Sequence, residues 1–317
     1  MDKCKDLLPD HYSFVKGLVD SSDLSLNISR EMLQHDRQLR VIAKALEKKI
    51  GSELKKMLAN DRENYEKFWA SFGNQLKWGC YVNYGMNKEA LQDLLLFKSA
   101  KEKKLVTLEE YLKGMRAEQK SVYYATGENE EQIARLPQVE AVLAKGCDVL
   151  LLTEDIDEFA LQMLREYGGK GFVNVCKEDV DLASEDEKKA LEALNEEKKD
   201  LLSFMTEALS GEVTKVRFTS GLESHAVCLS SEGMLSLGME RVLNKLPGSE
   251  NNQVKAELVL EINKDHPIVS RLEELFANDR EKLKSYAKLL LIQAQLVSGV
   301  PVKDPAEAGE LITSLML

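Results

Sequence analysis

Few residues in this chain are spaced for catalysis. The four histidines, His11, His35, His225 and His266, are scattered, and none stands in a metal-binding spacing such as HExxH. The five cysteines, Cys4, Cys80, Cys147, Cys176 and Cys228, are odd in number and far apart, with no CxxC pair. That pattern argues against a disulfide framework or a thiolate metal site and for a reducing compartment. No GxSxG, Walker A or GxGxxG motif is present, and nothing local supports a serine–histidine nucleophile. Two features stand out instead. Arg30 sits on the first turn of an expected helix, directly after an irregular loop, where the positive end of the helix dipole disfavours a cation. On position alone it reads as a solvated surface residue, yet an arginine there could reach an anionic ligand held by another domain. The second is the stretch Glu232–Leu243, in which Met234 and Met239 lie among leucines and glycines. Flexible thioethers suit adaptable apolar contact with varied partners, although an ordinary docked amphipathic helix has the same composition.

The elements that must position these residues fall into three stretches. Leu24–Ile28 reads as extended, and Ser29 caps a helix whose apolar stripe runs through Met32, Leu33, Leu39, Val41, Ala45, Leu46, Ile50, Leu54 and Leu58. A second helix starts at Asp61 and carries Tyr65, Phe68, Trp69 and Phe72, and residues 80–87 read as a break. Strands and helices then alternate. Ser121–Ala125, Asp148–Leu152 and Phe172–Val175 read as strands, separated by helical stretches over 129–144 (interrupted at Pro137) and 156–167. This order predicts a small parallel sheet with right-handed crossovers. Its first turn, Thr126–Glu131, is acidic where a phosphate cradle is neutral or basic, which weighs against a nucleotide site.

Residues 176–190 are poor in apolar side chains and mark a boundary. Beyond it, Leu191, Leu194, Leu201, Met205 and Leu209 share a helix side, and Val213–Thr219 and His225–Leu229 read as a hairpin turning at Gly221. Residues 254–262 alternate as a strand with one wet face. A long helix from about Asp279 carries Leu283, Ala287, Leu290, Ala294 and Val297, with Leu289, Leu291 and Ile292 on a neighbouring face. A last helix from Asp304-Pro305 carries Leu311, Ile312, Leu315 and Met316. A helix apolar over two stripes must be covered on two sides, and a twofold-related copy is the economical cover. The alternative is that both stripes pack within the domain.

Composition bounds the function further. The chain has 317 residues, a formal net charge of −11 and a pI near 5.1, so a polyanionic nucleic acid is a poor partner. No apolar run approaches the ~20 residues of a membrane span, and no signal-peptide core opens the sequence.

The run Asp6-Leu7-Leu8-Pro9 and Phe14–Gln34, containing Ser29-Arg30-Glu31-Met32-Leu33-Gln34, resembles the most recognisable motif of the Hsp90 chaperone family's middle domain. The likeness continues through Tyr65–Trp69, Thr107–Tyr111, Gln119–Tyr124 and Val149–Phe159, and the order of elements after residue 180 is similar to the family's dimerisation domain. The resemblance implies a mixed α/β and α+β chain: residues 1–180 as the later part of the middle domain (helical over 29–79, a small α/β unit over 107–176), and 185–317 as the dimerisation domain.

It implies that Arg30, with Gln34 beside it, reaches the γ-phosphate of ATP held with magnesium by an N-terminal domain outside this sequence, so that the chain alone hydrolyses no ATP and holds no cofactor or metal of its own. It implies a surface for unfolded or partly folded proteins at Glu158, Phe159 and Gln162 and at Met234, Leu235, Leu237, Met239, Val242 and Leu243, with Phe159 where bacterial members often carry tryptophan. It implies a homodimer through Leu283, Ala287, Leu290, Ala294, Leu311, Ile312 and Leu315. The ending Leu315-Met316-Leu317 lacks an acidic MEEVD tail, so tail-dependent co-chaperones are not expected, and a bacterial cytoplasmic or organellar stress-response protein is. Two other classes stay open on the residues alone: a small-molecule enzyme using the α/β unit, and a passive dimerisation scaffold.

Overall fold

The computed structural model of this chain describes residues 7–20, 37–177, 184–249 and 252–316. Helices α1 (Arg37–Asn60), α2 (Arg62–Gly85) and α3 (Lys88–Leu91) come first, then strands β1 (Leu96–Ser99) and β2 (Leu105–Thr107) and helix α4 (Leu108–Gly114). An alternating stretch follows: β3 (Ser121–Thr126), α5 (Glu130–Ala134), α6 (Pro137–Ala144), β4 (Leu150–Leu152), α7 (Asp157–Leu164), β5 (Glu166–Tyr167) and β6 (Lys170–Asn174). Then come α8 (Glu185–Glu197), α9 (Lys199–Ala208), β7 (Lys215–Thr219), β8 (Val227–Glu232), α10 (Leu237–Lys245), β9 (Glu257–Asn263), α11 (Ile268–Asn278), α12 (Arg280–Ser298) and α13 (Pro305–Met316). The fold is mixed α/β, as the sequence implies.

The chain packs as two compact units. The first comprises Met1–Phe97, Leu105–Lys113 and Phe159–Gly169, and the second Lys98–Lys104, Gly114–Glu158 and Lys170–Leu317. The sequence places its boundary near residue 180, whereas this division by packing threads the chain between units several times.

The first unit is built on α1 and α2. In α2, Tyr65, Trp69, Leu76 and Cys80 recur at helical spacing and are buried. Phe14 stacks against Phe68 and Phe72 with ring centroids 5.0 Å away from each. The Tyr65 hydroxyl donates to the Leu94 carbonyl at 2.6 Å, which satisfies the one polar atom of a fully enclosed ring. A Cβ at Gly73 would lie 2.7 Å from the Trp69 indole, so only glycine lets that ring lie flat on the helix. The helical path of α2 ends where the sequence predicts a break: Val82 is extended, and Asn83 and Tyr84 have left-handed φ of 52° and 56°.

In the second unit β3 lies between β4 and β6 and is parallel to both, with Tyr124 opposite Leu150 and Val122 opposite Phe172. The predicted three parallel strands are therefore present. Lys98 and Ser99 of β1 add an antiparallel edge beside Leu151 and Leu150, a strand that the sequence reading did not include. Pro137 sits at the start of α6, where its missing N–H costs nothing.

The later sheet corrects a pairing. Strands β7 and β8 form near where they are expected, but they do not form a hairpin: the order is β7-β9-β8, with β9 parallel to β7 and antiparallel to β8. The expected wet face of β9 is also absent. Residues Leu258 to Asn263 are all buried, because a central strand with helices above it has no free side. Glu261, which sets the alternation in sequence, is buried with the Arg217 guanidinium (Nε at 3.1 Å) and the Ser230 hydroxyl (2.7 Å) donating to its carboxylate. Helices α9, α11 and α12 close this core through Met205, Leu272, Leu275, Leu283, Ala287 and Leu291. Asp279 caps α12 by accepting from the Lys282 amide, and Gly299 ends it at φ 70°.

Candidate functional site

Arg30 and Gln34 lie outside the described residues. The remaining expected site residues, except the side chain of Leu315, are described, and they divide into surface and interior.

In the second unit, Glu158 is 4% exposed, not a surface contact. Its carboxylate is the focus of three donors. Tyr124 Oη (3.1 Å) and Asn174 Nδ2 (2.9 Å) donate to Oε1, and Ser236 Oγ donates to Oε2 at 2.5 Å. Ser236 is also the N-cap of α10 and accepts from the Met239 amide at 3.1 Å. One serine thus fastens the start of α10 to the first residues of α7. Gly238 allows the close approach: a Cβ there would collide with the Thr126 hydroxyl. Arg241 Nη2 reaches the Gly127 carbonyl at 3.1 Å, and Glu240 accepts from the Ala256 amide at 2.8 Å. Burial, with the Glu158 carboxylate beside it, pushes the Tyr124 phenol above its ordinary range, so this hydroxyl stays a donor.

The methionine stretch divides. Met234 follows Gly233 (φ 72°) and is 91% exposed. Met239 is 5% exposed and sits inside. Leu235 and Leu237 are half-buried against the core of the second unit, and Val242 and Leu243 are half-buried along α10. An amphipathic helix capped and docked in this way buries the thioether on its inner face, and the one on the preceding turn is left outside.

In the first unit, Phe159 is half-buried with its ring 5.8 Å from that of Tyr81, and Gln162 is exposed one turn further along α7.

On α12, Leu283, Ala287, Leu290 and Ala294 are all buried within this chain, so they serve its own core. Of the neighbouring face that the sequence marks, Leu291 is buried in the core and Leu289 and Ile292 are half-buried; Leu296, which the sequence reading did not include, is 65% exposed. On α13, Leu311 is half-buried while Ile312 and Met316 are exposed, and the side chain of Leu315 is outside the description.

Among the described residues, burial disfavours the thiolate at every cysteine. Burial pushes the Cys80 and Cys176 thiols up to about 12 and raises Cys147 and Cys228. Among the described residues no group of three or more His, Cys, Asp or Glu is placed to hold a metal ion. No helix among them is long and apolar enough to cross a membrane.

Sequence reasoning passed over one surface. Trp78, Tyr84 and Met86 are exposed around the end of α2. The signal was present as an aromatic-rich stretch with no acid between Lys67 and Lys88.

Comparison with known proteins bears on what such a surface is for. The sequence matches the family described as Hsp90 protein across residues 1–317. It is 53% identical over 316 residues to the chaperone protein HtpG of Clostridium acetobutylicum. Over 317 residues it is 52% identical to that of Bacillus subtilis and 51% identical to that of Alkaliphilus oremlandii. Each match covers all of this chain and 50% of the relative, so the chain spans about half the length of the curated relatives it matches.

Proposed function

Because the chain belongs to the Hsp90 protein family, we propose that it is the dimer-forming and client-binding portion of a molecular chaperone. Clients are unfolded or partly folded proteins, held by apolar side chains that the fold leaves uncovered. The observation that carries this reading is the exposure of such side chains on ordered elements. Met234 stands out from a docked and capped segment, Leu296 projects from α12, whose other face is buried, and Ile312 and Met316 are exposed on α13, where Ala308 is buried. In a soluble acidic chain, apolar groups of that size on rigid elements suit contact with other polypeptides.

Two roles follow. Met234, with the half-buried Leu235, Leu237, Val242 and Leu243 beside it in sequence, contacts clients in the second unit, and Phe159 and Gln162 do so in the first. The Leu289, Ile292 and Leu296 face of α12, with Ile312 and Met316 of α13, forms the homodimer interface. Glu158 and Met239 support the client surface from inside. In a protein of the relatives' length, Arg30 with Gln34 supplies positive and polar groups to the γ-phosphate of ATP, and magnesium accompanies the nucleotide. The protein works in the cytoplasm as part of the stress response.

The test is sedimentation of the chain and of a Leu296→Glu, Ile312→Glu variant. The expected result is a dimer that becomes a folded monomer on substitution. A monomeric parent chain at micromolar concentration overturns the dimer. Suppression of aggregation of a denatured model protein, weakened by Met234→Ser, tests the client role separately.

A further inference from the structure

The first unit carries an aromatic ladder that none of the expected site residues explains. The rings of Trp78 and Tyr81 lie 5.4 Å apart, and Tyr81 lies 5.8 Å from Phe159 at 73°, an edge-to-face contact. One turn along α7 from Phe159, Met163 packs against the turn that ends α2, where a Cβ on Gly85 would meet its Cβ at 3.7 Å. The ladder and this turn therefore flank one face of α7.

That turn is held in an uncommon shape. Asn83, Tyr84 and Gly85 are successive left-handed residues with φ of 52°, 56° and 74°. Glycine takes this conformation freely and asparagine tolerates it, but a bulky aromatic residue does not. Tyr84 nevertheless occupies it and is 97% exposed, so the strain is not repaid by burial of the ring. Trp78 is 49% exposed and Met86 is also out in solvent.

Charge narrows the occupant. The chain is −11 overall, yet from Lys67 to Lys88 it has no aspartate or glutamate; of the three lysines in that stretch, Lys77 is buried over the Trp69 and Phe97 rings and Lys67 pairs with Glu63, which leaves Lys88 as the cation at the ladder. Lys88 is anchored beside the ladder, its Nζ 3.3 Å from the Met163 carbonyl. An extended segment with aromatic or aliphatic side chains and neutral or acidic flanks would meet rings and the Lys88 cation here, with less acidic repulsion than on the wider surface.

We propose that Trp78, Tyr81, Tyr84 and Met86 extend the client surface of Phe159 into an aromatic track, selective for extended, apolar segments of neutral or acidic unfolded polypeptides. This rests on the client-binding reading of Phe159, and the track specifies which segments that surface takes.

The experiment measures binding of the intact chain to fluorescently labelled, reduced and carboxymethylated α-lactalbumin, a permanently unfolded acidic probe, by anisotropy. Trp78→Ser with Tyr84→Ser is expected to weaken binding about tenfold or more, with unchanged circular dichroism and unchanged oligomeric state. Tyr84→Gly separates recognition from structure: it relieves the left-handed strain, so thermal stability holds or rises while affinity falls. If these variants bind the probe as the parent does, and Phe159→Ser weakens binding, the track is wrong and the client reading stands. If Phe159→Ser and Met234→Ser also bind as the parent does, the client reading itself fails. If Trp78→Ser with Tyr84→Ser changes the oligomeric state and leaves probe affinity intact, the face belongs to a second copy and the proposal is overturned.

Discussion

Removing the carboxylate of Glu158 should unmake the junction that holds α10. In Glu158→Ala, the Tyr124 hydroxyl, the Asn174 amide and the Ser236 hydroxyl lose their common acceptor inside the second unit. A buried donor without a partner costs about 1–3 kcal/mol. The two hydroxyls can rotate towards other acceptors, so we expect about 3–5 kcal/mol in total, including the lost packing of the side chain. Glu158→Gln is the informative contrast. Its Oε1 keeps the bonds from Tyr124 and Asn174. Its new Nε2 donor faces Ser236 Oγ, which can accept while still taking the Met239 amide. Loss of a buried charge also returns part of its desolvation cost, so the glutamine variant should lose about 1 kcal/mol or less. In a chain of this size 1 kcal/mol moves the melting temperature by about 2–4 °C. Thermal unfolding followed by circular dichroism should therefore show the alanine variant about 10 °C lower and the glutamine variant within about 3 °C of the parent. Equal losses in the two variants would mean that charge, and not the donor set, makes the junction. A negligible loss in both would refute the reading of Glu158 as an interior anchor.

Other outcomes follow from the same packing. Leu290→Glu should unfold the second unit, because Leu290 is in its core, whereas Leu296→Glu should leave the melting curve in place and change only the sedimentation coefficient. Glu261→Ala leaves Arg217 inside without its carboxylate, and urea titration should show a loss of about 3–5 kcal/mol. His11 is buried, and burial lowers its affinity for a proton below that of free imidazole at 6.5. The unfolded chain therefore takes up the proton first as the pH falls, so this contribution to stability is full above 6.5 and is lost below it. Urea midpoints at pH 7.5 and 5.5 should differ more in the parent than in His11→Asn. Gly299→Ala should destabilise the end of α12, because its φ is 70° and the Gln132 side chain occupies the space of a Cβ.

The sequence disclosed existence of elements better than their partners. The run Asp148–Leu152 reads as a strand from its own residues, and Leu150–Leu152 forms one. Pairing of β7 and β8 was not legible, because a glycine turn between two short strands has the same appearance whether they meet or a later strand comes between them. Glu261 misled for a physical reason: alternation marks a wet face unless a buried charge has a partner, and Arg217 lies far away in sequence. Both stripes of α12 were visible, but which one faces the chain's own core depends on α9 and the sheet, and no local pattern records that. Met234 and Met239 look alike in sequence, and only the cap at Ser236 sends one out and the other in. The exposed rings at Trp78 and Tyr84 were passed over, although the acid-free aromatic stretch that carries them is visible in the sequence.

The most direct measurement is the affinity of this chain for one protein in two states, native and permanently unfolded, under identical conditions. Client capture by exposed apolar side chains predicts micromolar or tighter binding of the unfolded form and none of the native form, with Met234→Ser and Phe159→Ser each weakening the former. Equal binding of both states, or no binding of the unfolded one by a well-folded dimer, would contradict the account.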